Sequence, residues 1–278
     1  MKKKVIIVLV VLVVIAVGGY FGYKAYYLHK YSTDDIEKYY QNFIDLIEEK
    51  DTYTVHTSKL DDSEYYVFDE LHIKDFFSEF QEDNVSSHLK TFTSLTGKNT
   101  NVGLFHHELP LYLVYPPLTE EEDATYMKKF MKEHQLDTML DLFDYLYQNK
   151  DKKVGIFDSF STIRENYVIK SNIGSFAFSD SYSDEKLTYL TGDYLGYLHE
   201  GKVDSDTFQP FHSFVVHFIV DNEEYGFSIS TSDEKIDREY VLDLINTIKF
   251  ERNLNIKISF FRKYFFFLII KERRNIYK

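Results

Sequence analysis

The densest run of groups able to bind a metal or move a proton is His106-His107-Glu108. Imidazole nitrogen and carboxylate oxygen together suit zinc. The spacing does not. Neighbouring residues of a strand point to opposite faces, so His106 and His107 chelate one ion poorly. A zinc-protease helix needs a second His four residues after the first. Here the run continues Leu109-Pro110-Leu111, which has no second His and contains a helix breaker. His134, near a predicted helix end, is a third donor that no spacing ties to the pair. No metal ligand set is assigned.

Nucleophile motifs are equally thin. Ser183/Lys186 and Ser232/Lys235 match Ser-x-x-Lys. A penicillin-binding-type Ser opens a buried helix and is backed by Ser-x-Asn and Lys-Thr-Gly, neither of which occurs here. Both matches sit in acidic, turn-like stretches. No Gly-x-Ser-x-Gly elbow exists, and the 11 glycines are not spaced to cradle a phosphate or a dinucleotide. Residues 180–184 and 221–224 are the nearest to calcium loops. Neither places oxygen ligands at alternate positions with the required Gly and distal Glu. Carboxylates are everywhere in so acidic a chain, so no pair stands out for glycosidase work. The expectation is no catalytic residue, no cofactor-binding residue and no metal, with no cofactor implied.

Stepping outward from these side chains, the element that places them all is the N-terminal one. Lys2-Lys3-Lys4 precedes residues 5–23, an uncharged run rich in Val, Ile and Leu. At ~1.5 Å per residue its nineteen residues nearly span the ~30 Å hydrocarbon core as a helix. Lipid imposes that helix despite the valines, because the backbone has no other hydrogen-bond partner there. The three lysines favour a cytoplasmic N-terminal side, and Tyr20, Phe21, Tyr23, Tyr26 and Tyr27 suit an aromatic belt at the outer interface. The rival reading is a cleaved signal peptide ending near Ala16-Val17-Gly18. Apolar and aromatic residues continue past Gly18, which favours a signal-anchor. Both readings export the remainder. The chain has no cysteine, so no disulfide supports an exported domain and a packed core must do so.

Charge divides the chain in the same places. Residues 1–30 carry five Lys/Arg and no acid, and residues 251–278 carry eight Lys/Arg and two Glu. Residues 31–250 carry 19 basic and 43 acidic side chains, a net of −24. Such a surface repels nucleic acid and excludes it as a partner. The expected organisation is a basic tip with membrane anchor and interface (1–30), an acidic extracytoplasmic domain (31–250), and a basic aromatic tail (251–278). The central domain can divide into subdomains 31–150 and 151–250. The apolar part of the tail reaches only ~20 Å as a helix and is interrupted by Arg262-Lys263, so it reads as interfacial or incidental rather than a second span.

Periodicity predicts a helix over 32–50, capped by Ser32, with Ile36, Tyr39/Tyr40, Phe43, Ile44 and Ile47 on the inward face. Strands are expected at 53–57, 65–73 and 111–115, with 84–101 as loop. A capping box at Thr119–Glu122 opens a helix whose buried face is Met127, Phe130 and Met131. A second helix follows Asp137. Strands are then expected at 154–157, 167–170, 175–178, 187–190 and 194–199, the last two joined at Gly192-Asp193. A hairpin spans 213–230, a helix starts near Asp237, and Ile248-Lys249-Phe250 ends as a short strand.

The fold class expected is α+β: a mostly antiparallel sheet covered by helices, preceded by a single N-terminal transmembrane helix. The expected function is a membrane-anchored extracytoplasmic cell-envelope protein at the cell membrane, acting as a non-catalytic binding or accessory module. Its partners would be membrane lipid, through the N-terminal helix, and a protein of the cell envelope. The alternatives are an envelope hydrolase whose site is assembled from residues distant in sequence, and an accessory subunit of a membrane complex.

Overall fold

The computed structural model describes residues 2–57, 66–67, 80–86, 89–94, 100–110, 121–174, 182–203 and 210–250. The N-terminal run forms one unbroken helix, α1 (Lys2–Lys30). Its residues Val5–Lys30 are long and apolar enough to cross a membrane. From Val5 to Val17 its large apolar side chains are exposed.

Helix α2 (Glu37–Glu48) follows. It starts later than expected: Ile36 is the cap residue and makes no side-chain cap bond. The Ser32 hydroxyl instead accepts from the Asp34 amide, at 3.2 Å, in the turn before it. Of the predicted inward stripe, Tyr40, Phe43, Ile44 and Ile47 are buried, whereas Ile36 and Tyr39 are only half-buried.

Strand β1 (Asp51–Val55) leads into an eight-stranded sheet completed by β3 (Phe80–Ser86), β4 (Leu89–Ser94), β5 (Thr100–Glu108), β6 (Tyr182–Gly192), β7 (Leu195–Val203), β8 (Phe211–Val220) and β9 (Glu223–Thr231). The spatial order is β1-β6-β7-β8-β9-β5-β4-β3. It is a mixed sheet: β1 runs parallel to β6, and the other neighbours are antiparallel. Strands from both halves of the chain interleave in it. A separate parallel pair joins β2 (Tyr66–Val67) to β10 (Ile248–Lys249), which confirms a strand at 248–249.

The helices are α3 (Glu121–Glu133), α4 (Met139–Gln148), α5 (Phe160–Gly174) and α6 (Arg238–Thr247). Consecutive strand residues fall into two different cores, as two-residue alternation requires. Leu187 and Tyr197 join Phe43, Met127, Met131, Met139, Phe143 and Val168 under helices α2–α5. Leu190, Leu198, Phe218, Phe227 and Ile229 join Val241, Ile245 and Ile248 under α6. Four helices thus cover one face and one covers the other.

Three expectations fail. Residues 84–86, 89–94 and 100–101 are strand, not loop. The run Gln81-Glu82-Asp83-Asn84 has poor strand propensity, but β3 lies at the sheet edge, where polar side chains are tolerated. Residues 167–170 are helical, within α5, although Tyr167-Val168-Ile169 favours a strand. Burial of Ile163, Val168 and Ile169 against the helix layer overrides that propensity. Residues 154–157 form the loop before α5. The Ser159 hydroxyl accepts from the Thr162 amide at 3.0 Å and caps that helix. The expectations at 111–115, 119–120, 175–178, most of 65–73 and the tail 251–278 lie outside the described residues.

Candidate functional site

A cleft lies among α2, α4, α5 and the end of α3. Tyr40, His134, Tyr145, Lys152, Glu165 and Lys170 are in its lining. Tyr40, Tyr145, Glu165 and Lys170 are carried by α2, α4 and α5, while His134 lies in the turn after α3 and Lys152 in the loop before α5. Phe130 on α3 meets Tyr145 on α4 edge-on at 5.2 Å and His134 at 4.7 Å. His134 and Tyr145 then lie 4.6 Å apart ring to ring, with the hydroxyl 3.5 Å from Nε2. Across the cleft the Lys170 ammonium donates to both Glu37 oxygens, at 2.9 and 2.7 Å, and sits 4.5 Å above the Tyr40 ring.

Burial sets the electrostatics. It pushes the Tyr40 phenol up to about 12, helped by the Glu37 carboxylate and Tyr145. It also pushes the Glu165 carboxyl above its ordinary range, with Glu133 adding to the effect and His134, Lys129 and Lys152 opposing it. Tyr145 is raised by burial and by Glu165. A His, a phenol and a raised carboxyl could exchange protons. The cavity, however, is about 70 Å³. That is room for a water or two at ~30 Å³ each and far below the ~300 Å³ at which small-molecule pockets begin.

The sequence candidates are scattered by the fold. His106 Nε2 lies 2.9 Å from Glu223 Oε2 and its ring stacks on Tyr225 at 4.3 Å. The Tyr225 hydroxyl donates to the same Glu223 carboxylate. His106 pairs in register with Tyr225, and His107 with Glu224 on the next step. No group of three His, Asp or Glu able to hold a metal occurs among the described residues. Ser183 and Lys186 flank a register shift in β6, where Asp184 takes φ 53° and bonds Lys202 at 2.8 Å. Ser232 and Lys235 lie in the turn before α6, where the Lys235 amide donates to Asp233 at 3.3 Å.

Asp221 and Asn222, both at positive φ, make the two-residue turn of the β8–β9 hairpin. The Asn222 side chain donates to the Leu109 carbonyl at 3.1 Å, so the turn is tied to the end of β5.

What sequence reasoning missed is a buried polar row inside the sheet. His217 Nδ1 lies 2.7 Å from Glu224 Oε1. The imidazole is stacked on Tyr197 and close to Phe105. A signal was present: Gly226, a lone glycine in an alternating strand, marks a place where another group must come close.

Comparison with known proteins leaves the reading to these residues: no family model matches the chain, and no curated protein or solved structure matches it.

Proposed function

We propose that this chain is a membrane-anchored extracytoplasmic protein of the cell envelope that works as a non-catalytic binding or accessory module. Residues 5–23 span the cell membrane once, the lysine-rich tip stays in the cytoplasm, and the acidic α+β body stands outside. Membrane lipid is the partner of α1, and a cell-envelope protein is the partner of the body.

One observation carries the reading. Helix α1 is continuous from Lys2 to Lys30, and its exposed apolar side chains from Val5 to Val17 have no cover within the described residues. Leaving so much apolar surface in water would cost ~25 cal/mol for each Å², whereas in lipid it is at home.

Within the described residues, the hydrolase alternative would draw on the cleft around His134 and Glu165. Its size argues against a substrate there.

The test is topology followed by capture. Membranes pelleted from cells should retain the chain through a high-salt wash and release it to detergent. Protease added outside intact, wall-stripped cells should digest residues 31–250. A chain recovered from the cytosol, or a body protected from outside protease, overturns the proposal. In-cell cross-linking through the body should then give the same envelope protein in repeated experiments.

A further inference from the structure

The outer end of α1 does not hang free of the body. Phe160, the first residue of α5, meets Tyr20, Tyr23 and Tyr27 at ring distances of 6.0, 5.5 and 5.0 Å. Lys24 is buried in this seam at 4% exposure. Its ammonium donates to the Tyr20 hydroxyl at 3.3 Å and lies 5.4 and 5.5 Å from the Tyr20 and Phe160 rings. Tyr31 continues the contact onto Tyr167 at 5.6 Å, and Arg164 sits 4.3 Å from the Tyr31 ring. Several aromatic and cation–π contacts therefore fix α1 against α5 in one orientation.

That orientation sets the depth of the loop before α5. Its residue Phe157 is the most exposed large apolar side chain described, at 88%. Its ring lies 6.3 Å from Phe21. Phe21 belongs to the uncharged run that ends at Tyr23, so Phe157 stands level with the last turn of the apolar run rather than beyond it. The loop is shaped to present this tip: the Gly155 amide donates to the Asp158 carboxylate at 2.7 Å, and Ser159 caps the helix behind it. Lys152 and Lys153, both exposed, precede the tip. Aromatic tip and flanking lysines are the pairing that suits the headgroup boundary.

We infer that residues 152–157 form a second membrane contact, in which Phe157 enters the outer leaflet beside α1 and the two lysines lie among the lipid phosphates. This rests on α1 spanning the bilayer. The occupant is the lipid of the same membrane, because the loop is carried there by a helix already in it. The contact would hold the α5 side of the body against the membrane instead of leaving it on a free stalk.

The chain has no tryptophan, so a single substitution gives a single fluorophore. The full-length variants Phe157→Trp and Val13→Trp are reconstituted in phosphatidylcholine vesicles without bromine, with bromine on the upper acyl chain, or with bromine near the acyl-chain end, which reaches the depth of residue 13. Val13→Trp reports the anchor and Phe157→Trp the loop. The expected result is blue-shifted emission from both, with Phe157→Trp losing about half its intensity in brominated lipid. Quenching of Val13→Trp alone overturns the loop contact and leaves the anchor standing. Blue-shifted but unquenched Phe157→Trp also overturns it, since the cover would then be protein, such as residues 251–278 or a second copy. No quenching at Val13→Trp overturns the anchor and the loop contact with it.

Discussion

His217 and Glu224 form a hydrogen-bonded pair inside the sheet: Nδ1 lies 2.7 Å from Oε1, and the carboxylate side chain is only 2% exposed. Register explains the surroundings. Tyr197, His217, Gly226 and Phe105 are direct partners across β7, β8, β9 and β5. The imidazole stacks on Tyr197 at 4.3 Å and meets Phe105 at 4.7 Å. Tyr197 meets Phe143 of α4, which meets Phe43 of α2. One aromatic chain thus runs from the helix layer across the sheet, and Glu224 is the buried acceptor beside its central ring.

Glu224→Ala removes that acceptor and leaves His217 Nδ1 with a lost partner in a half-closed site. The expected cost is about 3 kcal/mol, against about 1 for Glu224→Gln, which keeps an acceptor of the same shape. At roughly 2–4 °C per kcal/mol the two variants separate clearly in thermal unfolding of the purified full chain. Equal midpoints for Glu224→Ala and wild type would mean that the pair contributes nothing to the fold.

Two glycines make the close approaches that the row needs, and they should respond differently to the same methyl group. A Cβ at Gly226 would stand 2.0 Å from the Phe105 ring and 2.5 Å from the Val216 carbonyl. A Cβ at Gly196 would stand 1.9 Å from the His217 carbonyl, which is backbone within a ladder. At Gly226 the Phe105 ring can swing aside and only the Val216 carbonyl must then shift, whereas at Gly196 every nearby atom is backbone of the paired strand. Gly226→Ala should cost about 2 kcal/mol through overpacking, and Gly196→Ala clearly more. Combining Gly226→Ala with Phe105→Ala should cost less than the sum of the two, because the ring no longer obstructs. Unfolding midpoints of the four variants decide the order.

How far the sequence carried this fold depends on which signal each segment used. Where periodicity and burial agree, as in Tyr40/Phe43/Ile44/Ile47 or Met127/Phe130/Met131, the inward face was legible residue by residue. Turn chemistry was legible to within a residue: Gly192, at φ 92°, ends β6, and Asp193-Tyr194 rather than Gly192-Asp193 join it to β7. Asp237 caps α6, accepting from the Tyr240 amide at 2.9 Å. Residues 167–170 misled because Tyr, Val and Ile read as strand locally, and only packing on α2 and α3 makes them helix. The parallel β1–β6 pair could not be read either, since its register joins residues 51–55 to 188–192 with no local mark. Of the candidate cleft, Tyr40 and Phe130 were legible only as inward residues and His134 only as an isolated donor. Tyr40, Tyr145 and Glu165 come together only through the angles at which three helices pack.

Arg238 ties α6 to the sheet by its guanidinium. It donates to Glu200 at 2.6 Å, Thr188 at 2.7 Å and Asp51 at 3.2 Å. The Glu200 side chain is only 10% exposed. Its second oxygen, Oε2, has no hydrogen-bond partner within the described residues. The ion pair therefore has little redundancy. Arg238→Ala should cost about 3 kcal/mol, chiefly by stranding the Glu200 charge. Arg238→Lys should also destabilise, because an ammonium cannot reproduce the fork that reaches three acceptors. Adding Glu200→Gln to Arg238→Ala should recover much of the loss. A double variant no more stable than Arg238→Ala alone would show that lost helix packing, not stranded charge, sets the cost.

Glu165 makes a prediction in pH. Burial holds its carboxyl above the ordinary range in the folded chain. The folded state therefore binds that proton more tightly than the unfolded state does. Below the unfolded carboxyl value both states are protonated and Glu165 carries no penalty. As pH rises, the penalty grows and becomes complete above the folded value. Glu165→Gln should therefore raise the unfolding midpoint at about pH 7 and change it little at about pH 3.5, where the acid is already neutral. The opposite pattern, a loss of stability at neutral pH, would mean that His134, Lys129 and Lys152 outweigh burial. Glu165 would then serve as a carboxylate anchor of the cleft rather than a strained acid within it.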